Sequence, residues 1–127
     1  MKQVLLLDDS PTQLSIREMV LRRAQIECQI VGNAPDAIKI LRDEPGNTEI
    51  GAVVTDHLMP DMDGVSFVRE VRAFNQQVPI IVISGLPDAD QEYADLNVIF
   101  RMKPCEPEEL ISLIRELLDG PRHRASA

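Results

Sequence analysis

A chain of 127 residues holds one globular domain at roughly 150 residues per domain, which leaves no room for a second large one. With 44% apolar but only 3% aromatic residues, its core must rest on Val, Ile, Leu and Met. The excess of 21 acidic over 13 basic residues, a formal charge of −8, repels a phosphate backbone and argues against direct nucleic-acid binding.

The chain opens on Val4-Leu5-Leu6-Leu7, a short apolar run that suits a buried strand better than a signal peptide. Asp8 and Asp9 follow on a turn. Ser10 then suits a helix N-cap, Pro11 the first helical position, and Gln13 the return arm of a capping box. A second strand is expected over residues 28–31, and a second helix from near Pro35 carrying Ala37, Ile38 and Leu41, ended by Pro45-Gly46-Asn47.

Residues 52–55 read as the third strand. The helix after Gly64 places Phe67, Val68, Val71 and Phe74 on one face. Residues 78–83 form the fourth strand. The stretch 87–96 should supply a fourth helix, although it is short, acidic and poorly periodic. Residues 98–100 give the fifth strand. A last helix from near Pro107 presents Leu110, Leu113, Ile114, Leu117 and Leu118 as a core stripe, with Ile111 and part of Leu118 facing outward. Strand and helix alternate throughout, the pattern of a parallel sheet covered on both faces. No apolar run approaches the roughly 20 residues that cross a bilayer, so no membrane insertion is expected and the cytoplasm is the default compartment. Cys28 and Cys105, with His57 and His123, offer no zinc-ligand spacing, and both thiols read as reduced and structural.

In an open parallel sheet, ligands sit beyond the carboxyl ends of the strands. Asp8, Asp9, Asp56, Ser84 and Lys103 all fall at such ends, and the fold would gather them in one cleft. Three carboxylates so close repel one another unless a cation enters. A set of hard oxygen ligands suits Mg²⁺. Phosphoryl transfer needs mainly positioning and neutralisation of oxygen charge, which Mg²⁺, Lys103 and the Ser84 hydroxyl together supply, with one of the carboxylates as acceptor. Singly, each residue has a plainer reading. The acidic pair can serve a helix N-terminus, Ser84 a turn, and Lys103 a solvated strand end.

Their order along the chain is more telling. Leu5-Leu6-Leu7-Asp8-Asp9, Asp56-His57-Leu58-Met59-Pro60-Asp61-Met62-Asp63-Gly64, Ile83-Ser84-Gly85 and Lys103-Pro104 together resemble the signatures of the response-regulator receiver domain of two-component signalling, across nearly the whole chain. The resemblance implies a flavodoxin-like (βα)5 fold, a doubly wound five-stranded parallel sheet in strand order 2-1-3-4-5. Residues 1–119 would be the receiver domain and 120–127 a short disordered tail, with no output domain after it. By the same resemblance Asp56 is the phosphoacceptor. Asp9 ligates Mg²⁺ directly, Asp8 largely through water, Asp56 itself takes part, and the Leu58 backbone carbonyl adds a contact. Ser84 bonds the phosphoryl oxygen, Lys103 pairs with it, and the Lys103-Pro104 bond is cis.

Such a domain is a switch rather than an enzyme with a separate output, although it assists its own phosphorylation and dephosphorylation. Its partners would be a histidine kinase or histidine phosphotransfer protein and a downstream target protein. Signalling would pass through the face of helix four, strand five and helix five as Ser84 moves and the Phe100 ring turns. Phe100 stands where many members carry Tyr. Asp61 and Asp63 read as solvated turn residues, Gly64 as a site of backbone freedom, and His57 as an exposed loop histidine. An aspartate phosphatase of the haloacid-dehalogenase type uses similar groups, but it wants a second Asp two positions after the first, where Ser10 stands. A receiver-like interaction module that takes no phosphate is the other alternative.

Overall fold

Alternation of strand side chains between two cores sets the architecture. In the computed structural model, which describes residues 2–42, 49–59 and 62–119, five strands run parallel in the order β2-β1-β3-β4-β5. They are β1 (Lys2–Leu7), β2 (Cys28–Val31), β3 (Glu49–Asp56), β4 (Ile80–Ser84) and β5 (Ile99–Met102). Val4 to Leu7 is buried without interruption because successive side chains enter different cores. Leu5, Leu7, Val53, Ile80 and Val82 face one side, and Val4, Leu6, Val54, Ile81 and Ile83 face the other.

Among the described residues four α-helices cover the two faces: α1 (Pro11–Arg23), α2 (Ala34–Arg42), α3 (Gly64–Phe74) and α4 (Pro107–Asp119). The first core takes Ala37, Ile38 and Leu41 of α2 with Phe67, Val68 and Val71 of α3, and the second takes Leu14 and Leu21 of α1 with Leu110 and Ile114 of α4. The connections leaving β1 and β3 therefore run to opposite faces, which opens a crevice between these strands at their carboxyl ends.

The helix starts follow their capping residues. Ser10 Oγ accepts the Gln13 amide at 3.3 Å, and Pro11 occupies the first turn. The reciprocal arm of the expected capping box is replaced: the Ser10 amide donates to Asp8 Oδ1 at 3.0 Å. Helix α2 begins on Asn33, whose Oδ1 accepts the Asp36 amide at 2.9 Å, and its expected end at Pro45-Gly46-Asn47 lies outside the described residues. Asp63 caps α3 by accepting the Ser66 amide at 2.8 Å, so it is a helix cap rather than a loose turn residue. This hydrogen bond holds its carboxyl below the usual value.

Three expectations change. The fourth helix is a single 3₁₀ turn, Ala89–Tyr93, because only Ala89, Tyr93 and Leu96 in that stretch are buried and the acidic residues between them have nothing apolar to cover. The predicted fifth helix is accordingly α4, where Leu110 and Ile114 are buried while Leu113, Leu117, Leu118 and Ile111 pack half-buried against the same core. Phe74 lies at the margin of α3 rather than in its core face, with the Arg42 guanidinium 5.0 Å from its ring centroid.

Arg72 ties the short 3₁₀ region to the body of the domain. Buried on the inner side of α3, it donates from Nε to Leu96 O (2.8 Å), from Nη2 to Asn97 O (2.9 Å) and from Nη1 to Asn75 O (3.1 Å). These carbonyls belong to turns that no strand or helix satisfies, so the guanidinium substitutes for missing secondary structure. Replacing Arg72 with Met should lower stability by about 2–4 kcal/mol, because the buried Leu96 carbonyl and two partly buried ones lose their donor. Urea denaturation followed by circular dichroism measures the change, and a loss below the precision of that experiment would show the carbonyls to be solvated.

Candidate functional site

Each polar group of the cleft is fixed by the strand it ends. Asp8 follows β1, and its amide extends the pairing with β2 by donating to Val31 O at 3.3 Å. Asp56 is the last residue of β3, opposite Ile83 of β4, and Ser84 ends β4. Lys103 lies one residue past β5, its amide held by Ser84 O at 2.8 Å. The Lys103-Pro104 bond is cis.

Asp8, Asp9 and Asp56 each bring a carboxylate oxygen to within 4.8 Å of the others. Asp8 and Asp56 are buried and Asp9 is exposed. The buried acids are held by different cations. Asp8 Oδ2 accepts from Arg17 Nη1 at 3.2 Å, and Asp56 Oδ2 accepts from Lys103 Nζ at 3.3 Å. Lys103 Nζ is also 3.2 Å from Asp56 Oδ1, but without hydrogen-bond geometry, which leaves that buried oxygen with no donor among the described residues. An ammonium between two carboxylate oxygens satisfies charge here, and one lone-pair direction stays open.

Burial is the largest influence on Asp8 and pushes its carboxyl above the usual value. The Ser10 amide and Arg17 oppose the rise, while repulsion by Asp56 and Asp9 adds to it. Ser84 is buried at the strand end, and its Oγ accepts the Leu86 amide at 2.9 Å; no hydrogen bond joins it to Asp56 among the described residues. Leu58 exposes its side chain, so only its main chain can serve the cleft. Phe100 is half-buried on β5, its ring centroid 6.0 Å from that of Tyr93. The structure thus gathers the acids and Lys103, keeps Ser84 turned to its own loop, and leaves Phe100 at one edge. Asp61 lies outside the described residues.

His57 is not the exposed loop residue that sequence suggests. Its amide donates to Ile83 O at 3.1 Å, which carries the β3–β4 pairing one residue further and turns the imidazole inward. Nδ1 lies 2.7 Å from Tyr93 Oη, and the rings meet edge to face at 5.6 Å. Burial is the chief reason that the Tyr93 phenol lies well above its ordinary value, and nearby Asp63, Glu92 and Asp56 push it the same way. Tyr93 is thus a neutral donor or acceptor, linked to the residue beside Asp56. A lone tyrosine in an unpatterned stretch gave little sign of this contact.

Gly64 is required for space rather than backbone freedom. Its amide donates to His57 O at 2.7 Å, and a Cβ there would collide with Tyr93 Oη and come within 3.0 Å of Asp56 O and 3.1 Å of the His57 Cα. The third helix can begin this close to the strand end only without a side chain.

A doubly wound parallel sheet with an acidic cluster and a lysine at its carboxyl edge defines a flavodoxin-like α/β module. The chain belongs to the response regulator receiver domain family, whose model matches residues 4–115. It is 32% identical over 117 residues to the hydrogenase transcriptional regulatory protein HoxA of Bradyrhizobium diazoefficiens, covering 89% of this chain and 23% of that protein. It is 34% identical over 119 residues to the transcriptional regulatory protein PrrA of Mycobacterium tuberculosis, covering 91% of this chain and 49% of that one. The chain thus spans half or less of these relatives. Among solved structures, a response regulator receiver protein from Sinorhizobium medicae superposes with a TM-score of 0.76 at 29% identity, covering 93% of this chain and 94% of that chain. The Vibrio cholerae chemotaxis protein CheY4 shares the fold with a TM-score of 0.80 at 24% identity over 93% of this chain and 99% of that one.

Two outcomes follow. Gly64→Ala should cost about 1–3 kcal/mol, since two of the atoms its Cβ would meet are backbone and cannot swing aside; urea titration checks it. For Asp8, a folded pKa raised above 3.8 means that the folded protein binds more protons through the window between that value and the raised one. Its contribution is full below 3.8 and is lost as pH rises through the folded value. Asp8→Asn should therefore be more stable than wild type at pH 7, with the difference narrowing towards pH 4 in parallel melts.

Proposed function

We propose that the chain is a phosphorylation switch of a two-component pathway, in which Asp56 accepts the phosphoryl group. The observation that carries this reading is the buried Asp56 Oδ1, without a hydrogen-bond donor among the described residues, in a carboxylate cluster beside Lys103. The donor set of the pocket fits a hard divalent cation, since its clustered ligand atoms are all carboxylate oxygens. Mg²⁺ bound by Asp9, Asp8 and Asp56 with the Leu58 carbonyl would supply neutralisation of the transferring oxygens.

The chain's own groups do the rest. An Asp56 oxygen forms the new bond to phosphorus as the bond to the donor's imidazole nitrogen breaks. Lys103, already 3.2–3.3 Å from the carboxylate, offsets the extra charge. The product carries about −2 where a carboxylate carried one charge, and gains acceptor oxygens. Ser84 Oγ accepts the Leu86 amide and keeps its own proton free, so its hydroxyl would donate to a phosphoryl oxygen as the β4 end shifts toward Asp56.

That movement draws on the end of β4 and so on β5, where Phe100 packs beside Tyr93. The output face is then the 3₁₀ turn, β5 and α4, and a population shift between two arrangements of this face is the signal. The acidic chain signals through a downstream target protein and receives its phosphoryl group from a histidine kinase or histidine phosphotransfer protein. The two relatives' names describe transcriptional regulators, and the charge of −8 favours a protein contact over a direct nucleic-acid one for this module. No helix among the described residues is long and apolar enough to cross a membrane; the proposed site of action is the cytoplasm, where a histidine kinase would supply the phosphoryl group.

Intact mass after incubation with acetyl phosphate and Mg²⁺ tests the acceptor. Wild type should gain one phosphoryl group, and Asp56→Asn or metal-free protein none. An adduct that survives in Asp56→Asn would move the acceptor elsewhere. The absence of any adduct in wild type would favour a module that binds partners without phosphate.

A further inference from the structure

Among the described residues, Arg17 is a charged group at the cleft to which neither the sequence motif nor the proposed chemistry gives a task. It stands within α1, away from the carboxyl end where Arg22 and Arg23 complement the helix dipole, and its side chain is only 13% exposed. Its Nη1 lies 3.2 Å from Asp8 Oδ2, while the Ser10 amide occupies Oδ1 at 3.0 Å. Both oxygens of Asp8 are thus already bonded. Asp56 is held by Lys103, whereas Asp9 has no ion pair among the described residues.

Two cations therefore stand against three crowded carboxylates. A divalent ion drawing on Asp8 meets oxygens that each already accept one hydrogen bond, and it must bind against the guanidinium's own positive charge 3.2 Å from Oδ2. The guanidinium has somewhere to go. Arg17 also lines a groove of about 510 Å³ between α1 and α4, beside Ile16, Val20, Cys105 and Leu110, and this groove reaches Lys103.

We propose that Arg17 is a resident counter-cation of the pocket: it competes with the divalent ion for Asp8 and so sets how tightly Mg²⁺ is taken up. This rests on the reading of the pocket as a Mg²⁺ site. Arg17 acts through Asp8 and sets metal affinity; it is not a catalytic residue. It keeps the metal-free pocket from repelling itself, at the expense of metal affinity.

The test is Mn²⁺ binding to the full chain by electron paramagnetic resonance, with Mg²⁺ as competitor, for wild type, Arg17→Met, Arg17→Lys and Asp9→Ala. Arg17→Met should bind about 5–10-fold more tightly than wild type, because a nearby unit charge of the same sign as the ion is gone. Arg17→Lys should fall between them. In wild type, the Arg17 Nε–H resonance should shift on Mg²⁺ saturation. Equal or weaker binding in a folded Arg17→Met protein, or an Arg17 resonance unmoved by saturating Mg²⁺, would overturn the role of Arg17 while leaving the metal site intact. Should Arg17→Met fail to fold, that resonance decides the matter in wild type. No Asp9-dependent binding in wild type would remove the Mg²⁺ reading itself and Arg17's role with it.

Discussion

Mutual repulsion of Asp8, Asp9 and Asp56 is the constraint around which the rest of the molecule is arranged. Carboxylate oxygens within 4.8 Å at an effective dielectric constant of ~20 repel by about 3 kcal/mol per charged pair. A chain tolerates this only if the strands that carry the acids cannot move apart. Here β1 and β3 are adjacent, apolar on both faces and locked between two helix layers. The packing energy of the sheet holds the acids together, and Arg17 and Lys103 relieve part of the strain. A pocket that is costly when empty of cations is a good receiver of them, and negative charge added at Asp56, as proposed, would have to be balanced by its surroundings.

The path by which such a rearrangement travels has its own physical basis. His57 is the next residue after Asp56, its imidazole meets the Tyr93 hydroxyl, and the Tyr93 ring packs beside Phe100 of β5. Gly64 lets α3 start within contact of all this. The strand end, the helix start and the 3₁₀ turn are therefore one packed unit, and a displacement of the loop has few directions open to it. Phe100 gives β5 no hydroxyl at this point; the only tyrosine in this chain lies on the 3₁₀ turn and is already bonded inward.

The sheet and the acidic cleft were readable in the sequence because both depend on short-range pattern. Each apolar run is long enough for a strand, and each cleft residue sits directly at a strand end, so topology alone brings Asp8, Asp56 and Lys103 together. The contacts that were missed depend on residues distant in sequence. Burial of His57 requires Tyr93, which lies in a stretch without apolar period; Arg72 binds carbonyls of a turn that pattern alone described as a helix. Arg17 looks like an ordinary solvated helix charge until Asp8 is placed beneath it. Gly64 was noticed, but for conformational freedom, and only the surrounding atoms show that space is the reason.

The most direct test of the account is a backbone NMR comparison of the wild-type chain before and after adding beryllofluoride with Mg²⁺, which together mimic the phosphorylated aspartate. The account predicts shifts that begin at Asp56, Ser84 and Lys103 and continue through His57 and Tyr93 to Phe100, with the 3₁₀ turn and β5 moving together while β2 and α2 stay unchanged. Shifts confined to the carboxyl ends of β1 and β3, or none at all, would contradict the claim that charge at this cleft is read out on the opposite side of His57.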